Sequence, residues 1–523
     1  MVKETAHMPG MVNRAMRMMA GTLASRILGL MREVLTASFF GATRLLDAYY
    51  VSYTLANLSR QLLAEGALSA SFVPTFSRVY GAGGDEAARK LARQIMSILL
   101  AVCALVVTLG ILCSPLMVRV IAPGFDDSLR ASAVAFTRAL FPFLIIVSVG
   151  ALAMGVLNSI GSFFVPAVAP AASNLAFIVI LLLAGRASIW TMVAAVLAGG
   201  ICSMTLQWVM AWRMGYLLVP SKPDLSDPEL RRTLALFIPY AAGLSLNQVN
   251  PVISRMLGSF LEEGVISALN YADRIIQLPL GLFVIAISQA VLPMLSRISS
   301  DDKDNSRMFM RDALRFNLFV VLPSALALIL LANPIVHILL FRGAFDKWAW
   351  TATSGAMACY AAGLPGMACN SVIMRALYAR RLPNAAMGVT AFTVCVNLLI
   401  GSLLMSRFSY MGLAFGTSCA FTGASFFGAW RLRRDIGMPI KLFDPSWLFR
   451  LLFSCGLMCG ALAFATSAFP YPSESAFAGR ALWLSAMILL GCGFYAALTI
   501  VLKCPEWAWI RGAFALKTKG SAD

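Results

Sequence analysis

Apolar stretches of about 20 residues recur along the whole chain, separated by short polar connections, and each is long enough to cross a hydrocarbon core of about 30 Å as a helix. The runs are rich in Leu, Ala, Val, Ile, Met and Gly without strict polar alternation. Outer-membrane barrels need alternating segments of about 10 residues, so that architecture is a poor fit. Read in order, the runs predict fourteen helices, centred near residues 28, 60, 107, 145, 174, 200, 245, 282, 325, 365, 395, 421, 457 and 492. The expected fold class is an all-α integral membrane protein with about 14 transmembrane helices.

Composition agrees with this pattern. Of 523 residues 59% are hydrophobic and only 13% charged, with a mean hydropathy of +0.79. Soluble domains are roughly half apolar. The first 20 residues carry Lys3, Arg14 and Arg17 but no small-residue cleavage site behind a short apolar region, so they read as a retained cytoplasmic start.

Lys and Arg are held on the cytoplasmic side during insertion. The even-numbered loops and both termini hold about 27 of them and the odd-numbered loops about 7, which predicts that both termini face the cytoplasm. Topology thus accounts for most of the net charge of +18, and nucleic acid is not needed as a partner. The eleven cysteines lie mostly inside apolar runs and are odd in number, with no disulfide framework or zinc spacing.

Comparing the chain with itself exposes a repeat. SFVPTFSRV at 71–79 matches AVLPMLSRI at 290–298, aligning Pro74 with Pro293. At nearly the same offset, close to 220 residues, the segment ending at Asp126 matches the one ending at Asp346, with Pro115 on Pro334. An offset of six helices keeps both copies in one orientation, so the halves are parallel repeats. The organisation expected is two parallel six-helix lobes plus a C-terminal helix pair. Residues 1–212 form the N-terminal lobe, 213–232 a cytoplasmic linker, 233–430 the C-terminal lobe, 431–446 a second linker, and 447–523 the final helix pair and cytoplasmic tail.

Repeat transporters hold substrate between their halves near mid-membrane, so buried charge is the feature to seek. The first run carries Arg26, Arg32 and Glu33, the second Asp47, Arg60 and Glu65, and the eighth Asp273 and Arg274. A central Arg costs about 2.5–3.5 kcal/mol to insert, so these side chains should face a cavity or a partner. Arg26 and Glu33, seven apart, lie nearly on one face, whereas Arg32 lies well round the helix; Gly29 is where a bend is cheapest. Mutual pairing, Arg32 with Glu33 or Arg274 with Asp273, is the structural alternative, and adjacent helical residues pair poorly. Guanidinium forks match phosphate oxygens, so the functional reading is an anion site suited to a diphosphate.

No catalytic set accompanies these charges. There is no Walker loop and no metal-ligand cluster, and His337, near a helix end, reads as a satisfied interfacial histidine. No cofactor is expected.

SRILGLMRE at 25–33, LLDAYYVSY from Leu45, NLSRQLLAEGALSASFVP from Asn57 and NYADRIIQLPLGLF from Asn270 resemble the MurJ (MviN) family of the multidrug/oligosaccharidyl-lipid/polysaccharide exporter superfamily. FRGAFD at 341–346 and RALYARRLP at 375–383 extend the likeness over essentially the whole chain. The resemblance implies a lipid II flippase, a transporter rather than an enzyme. It would move the undecaprenyl-diphosphate-linked peptidoglycan precursor across the bacterial inner membrane by alternating access. Membrane lipids, and the cell-wall synthesis machinery, are the further partners it suggests. Arg26, Arg32, Arg60 and Arg274 match the family's cavity arginines; Glu33, Asp47 and Asp273 accompany them. Relatives often carry Glu a turn after the Asp-Arg pair, where this chain has Gln277. Sodium-coupled members place a carboxylate on the seventh helix, yet residues 236–260 hold no Asp or Glu and offer Asn247, Gln248 and Asn250 instead. The competing classes are an exporter of another polyprenyl-linked saccharide or of a drug, and a glycan polymerase or scaffold. A drug exporter calls for acids in its cavity, and a polymerase for a catalytic carboxylate on a longer loop.

Overall fold

A computed structural model describes residues 8–61, 68–185, 188–245, 248–281, 302–437 and 443–509, with positions 291, 295 and 298; side chains are described from residue 24 onward, except at 238–245. Glu65, Asn247 and Pro293 lie outside the described residues.

Sixteen helices and no strands make up the described residues. In chain order they are α1 (Met8–Phe40), α2 (Arg44–Arg60), α3 (Ser69–Ile121), α4 (Asp127–Leu140), α5 (Phe143–Ser159), α6 (Phe164–Leu183), α7 (Ile189–Arg213) and α8 (Pro228–Ser245). There follow α9 (Val249–Gly258), α10 (Val265–Pro279), α11 (Lys303–Leu330), α12 (Ala332–Leu340), α13 (Lys347–Ala379), α14 (Pro383–Ile436), α15 (Pro445–Ala468) and α16 (Phe477–Val501). Among the described residues nine helical stretches are long and apolar enough to cross a membrane. Two are bent in mid-course: α3 at Gly84 (φ 72°) and α14 at Ser409 (φ 49°). The two segments of α14 match the apolar runs centred near 395 and 421, whereas in α3 only the second segment matches a run of its own, the one near 107.

On the second segment of α3, Leu105, Leu109, Leu112 and Leu116 recur at helical spacing, and each is at least 50% exposed. In water such a stripe would be an aggregation surface. Against lipid tails it costs nothing, and backbone satisfaction inside the helix becomes the governing constraint.

The chain divides into two compact units. The first comprises Met1–Ser267 with Arg342–Phe345, the second Ala268–Phe341 with Asp346–Asp523. In the first, α1 packs on α6, α6 on α7, and α3 on α5 and α8. Phe72, Phe76, Met96, Phe141, Leu144 and Tyr216 belong to its core. In the second, α13 and α14 approach closely because Gly363 and Gly366 lie directly against Ser418 and Thr422. Small residues make such contacts possible in a bilayer, where the hydrophobic effect between helices is absent. The pair α15 and α16 packs on α11 through Trp447, Leu451, Met458, Leu462 and Tyr495. Arg315 stacks on Trp447 and lies 3.4 Å from fully buried Glu506, which also accepts a 2.7 Å bond from Trp447 Nε1.

Candidate functional site: buried charge, a cavity and a closed seam

Arg32 is placed by three neighbours. Its Nη2 donates to Glu33 Oε1 at 2.8 Å, its Nη1 to Asn174 Oδ1 at 3.3 Å, and its guanidinium lies 5.4 Å from the centre of the Phe177 ring. Asn174 of α6 in turn donates to the Ser25 carbonyl at 3.2 Å, tying α6 to α1. Tyr50 OH reaches the other Glu33 oxygen at 3.4 Å. The Arg32–Glu33 pairing runs against the expectation that adjacent helical residues pair poorly. Their Cβ atoms do diverge, but the long arginine side chain swings back, and Asn174 and Phe177 hold it there. No bend at Gly29 is needed, and α1 runs unbroken from Met8 to Phe40.

Arg26, six residues earlier, is half-buried and makes no ion pair or hydrogen bond among the described residues. Arg60 closes α2, with its Nε donating to Asn57 Oδ1 at 2.8 Å. It lines a cavity of about 230 Å³ inside the first unit, shared with the polar residues Tyr53, Ser173, Asn174, Ser203 and Gln207 and with apolar ones such as Phe143, Ile146, Val147 and Met154. Asn174 thus touches Arg32 and the cavity that Arg60 lines. Asp273 and Arg274 belong to the second unit, on α10, both half-buried; Asp273 accepts a 2.6 Å bond from Gln277.

Asp47 sits at a different place in the first unit. Its buried carboxylate accepts from Gly264 N–H at 2.7 Å, Ser267 N–H at 2.7 Å and Ser267 OH at 2.6 Å. These are the unsatisfied donors at the N-terminus of α10, where the helix dipole also favours a negative charge. Arg255 of α9 stacks on Tyr50 at 5.8 Å and donates to the Ile266 carbonyl at 3.1 Å. The sequence reading missed Arg255, although a lone arginine in an apolar run was the same signal that marked Arg26. Asn174 was missed too, because an amide in an apolar run is ordinary helix-packing material.

The Asp47 contact belongs to a seam at the end of the unit where α1 finishes and α2 begins. Arg44 pairs with Asp126 and, at 3.1 Å, with Glu263. Hydrogen bonds from Ser128 and then Arg44 hold the Asp126 carboxyl below its usual range. Gly124 lies so close to the Ser259 carbonyl that a Cβ would collide with it, and Gly343 (φ 58°) stands in the same relation to the Ser38 carbonyl. Ser259 follows Ser38 by 221 residues and Gly343 follows Gly124 by 219. Both intervals match the internal repeat. The seam is therefore built of two equivalent glycine–carbonyl contacts, one from each copy.

Comparison with known proteins bears on what this arrangement serves. A family model described as lipid II flippase MurJ matches residues 36–478. A probable lipid II flippase MurJ of Rhizobium meliloti (strain 1021) is 31% identical over 506 residues, covering 94% of each chain. The lipid II flippase MurJ of Burkholderia cenocepacia is 30% identical over 447 residues, covering 83% of this chain and 86% of its own. A solved structure of a lipid II flippase MurJ in an inward closed conformation superposes with a TM-score of 0.78 at 25% identity, covering 93% of this chain and 98% of that one.

Proposed function

This chain belongs to the lipid II flippase MurJ family, and from that premise we propose which of its residues move the substrate and how. As a family member it is a multi-pass bacterial inner-membrane transporter of lipid II, not an enzyme. An exporter of another saccharide or of a drug is not favoured.

Arg26, Arg32, Arg60 and Arg274 bind the diphosphate of lipid II. The observation that carries this is the setting of Arg32: Glu33, Asn174 and Phe177 fix its guanidinium on α1, and Asn174 also lines the cavity that Arg60 lines. A fixed, permanently charged fork loses little on binding phosphate oxygens, whereas an unfixed one would first have to be ordered. Glu33 positions Arg32, and both Glu33 and Asp273 moderate the charge of the empty site.

The proposed organisation has fourteen passes with both termini cytoplasmic, lobes at 1–212 and 233–430, and a final helix pair at 447–523. The seam of Asp47, Arg44, Gly124 and Gly343 then lies on the extracytoplasmic side. Its closure keeps the cavity open to the cytoplasm, and its parting releases the head group outside. A ligand shifts such an equilibrium only by its differential affinity for the two states, so the diphosphate must be held more tightly with the seam closed.

The test is complementation of flippase-depleted cells, together with the accessibility of lipid II at the outer leaflet. Alanine at Arg26, Arg32, Arg60 or Arg274 abolishes growth while membrane levels persist, and lysine restores it in part, since a point charge loses the bidentate geometry. Full growth of all four alanine variants removes the anion site.

A further inference from the structure

The cavity lined by Arg60 and Asn174 holds a group that anion binding does not use. Gln207 of α7 is 7% exposed, and its Oε1 has no hydrogen-bond partner among the described residues. The amide orientation is fixed, because Nε2 donates to the Ser203 carbonyl at 3.2 Å and to Ser203 Oγ at 3.4 Å. Flipping the amide would set Oε1 against a carbonyl. A buried acceptor without a donor costs about 1–3 kcal/mol, so the missing donor has to be sought in what enters the cavity.

The remaining lining narrows what that is. Tyr53, Ser173 and Ser203 bring hydroxyl-bearing side chains to a lining that also has an apolar wall with Phe143, Ile146, Val147 and Met154, and among the described residues the one charged group is Arg60, which repels a cation. A diphosphate is a poor match for this end, because an amide oxygen repels it. A prenyl tail would leave every one of these polar groups unsatisfied. A ligand that both donates and accepts, bearing hydroxyl or acetamido groups on a compact ring, satisfies them all. At about 230 Å³ the cavity is below the range of about 300–1,000 Å³ usual for drug-sized ligands, room for a fragment of a substrate rather than a whole head group. Gln207 lies six residues before the end of α7 at Arg213, about 9 Å along the axis, on the side where the basic linker begins.

We infer that this cavity in the first unit is a carbohydrate subsite, in which Gln207 Oε1 accepts from a sugar hydroxyl or acetamido N–H while Arg60 reaches the adjoining phosphate. The inference rests on the flippase reading and adds to it a basis for discriminating lipid II from the bare polyprenyl diphosphate.

Binding of two ligands to the purified full chain tests it: lipid II, and undecaprenyl diphosphate without a sugar. The wild type binds lipid II more tightly. Gln207→Leu weakens lipid II binding about tenfold, equivalent to about 1.4 kcal/mol, and leaves undecaprenyl diphosphate unchanged. Ser203→Ala, a smaller disturbance, shifts binding in the same selective direction. An equal loss for both ligands assigns Gln207 to packing and overturns the subsite, as does an unchanged affinity for lipid II. Equal wild-type affinities overturn the subsite and leave the flippase reading intact. Failure to bind either ligand defeats that reading itself.

Discussion

Asp47 and Ser267 stand 220 residues apart in sequence and are joined by two hydrogen bonds, 2.7 Å from the serine N–H and 2.6 Å from its hydroxyl. That interval is the period of the internal repeat, so the second helix of one copy caps its counterpart in the other. Removing the carboxylate by Asp47→Ala leaves buried donors unsatisfied, at about 1–3 kcal/mol each. The seam should open, and Asp47→Asn, which keeps one acceptor, should open it less. Cysteines introduced by Arg44→Cys and Glu263→Cys report this in membranes: disulfide yield drops severalfold with Asp47→Ala. An unchanged yield shows that Asp47 does not hold the seam.

The paired glycine contacts make a second, sharper prediction. A methyl group at Gly124 or Gly343 collides with a backbone carbonyl, which cannot swing aside as a flexible side chain can. Gly343 also has φ of 58°, where an L side chain adds about 1–2 kcal/mol. Gly343→Ala should therefore lower the same disulfide yield more than Gly124→Ala, and both should lower it. If either variant crosslinks as well as the parent, the seam tolerates one contact and its two-fold construction has no functional weight.

The legibility of these features in the sequence follows their physics. Spans are legible because lipid demands long apolar runs, and Arg26, Arg32, Arg60 and Arg274 stand out because they interrupt runs of apolar sequence, although α1, α2 and α10, which carry them, are not among the nine described stretches long and apolar enough to cross a membrane. The Arg32–Glu33 pair was misjudged because helical geometry fixes Cβ directions but not where an arginine's four torsions carry its guanidinium. Asp47 was legible as a buried acid but not as the cap of α10, since its partners are backbone donors that carry no sequence signal. Gly124 and Gly343 follow the same rule: the carbonyl that each accommodates is supplied by another segment.

His337 gives a pH dependence whose sign can be worked out. Its Nδ1 lies 2.8 Å from Tyr471 OH and 3.2 Å from Arg480 Nη1, and its ring stacks on Phe341 at 4.6 Å, beyond the apolar span of α11. A guanidinium only donates, so Nδ1 accepts and the ring is neutral. Burial, and then Arg480, push its pKa below the usual 6.5. A depressed histidine contributes stability above the unfolded value, and loses it as pH falls below that value toward the folded one. Wild-type melting temperature should therefore fall more than that of His337→Asn, whose amide oxygen accepts at every pH, when the buffer goes from about pH 7.5 to about pH 5.5. Equal falls would place the acid sensitivity elsewhere.

The final helix pair stands outside the repeat, and the last prediction concerns what it faces. One side of α15, through Trp447, Leu451, Met458 and Leu462, packs on α11, while Phe449, Leu452, Phe453 and Phe464 on the other sides are exposed. Beyond Arg450 and Arg480 the central runs of the pair carry no charge. The substrate brings a long apolar tail that an arginine-lined site cannot host without stranding guanidinium groups in hydrocarbon. The tail must then stay in a lipid-like environment while the head group crosses, and a pair packed on α11, with no charge in its central runs, is suited to guide it. Photo-crosslinking residues placed at Phe449 and Phe453 should capture the polyprenyl chain of lipid II, and competition with unlabelled lipid II should abolish the adducts. Adducts at the second segment of α3 and at α5, with none on α15 or α16, would move the tail path to the first unit and leave the pair with a purely structural part.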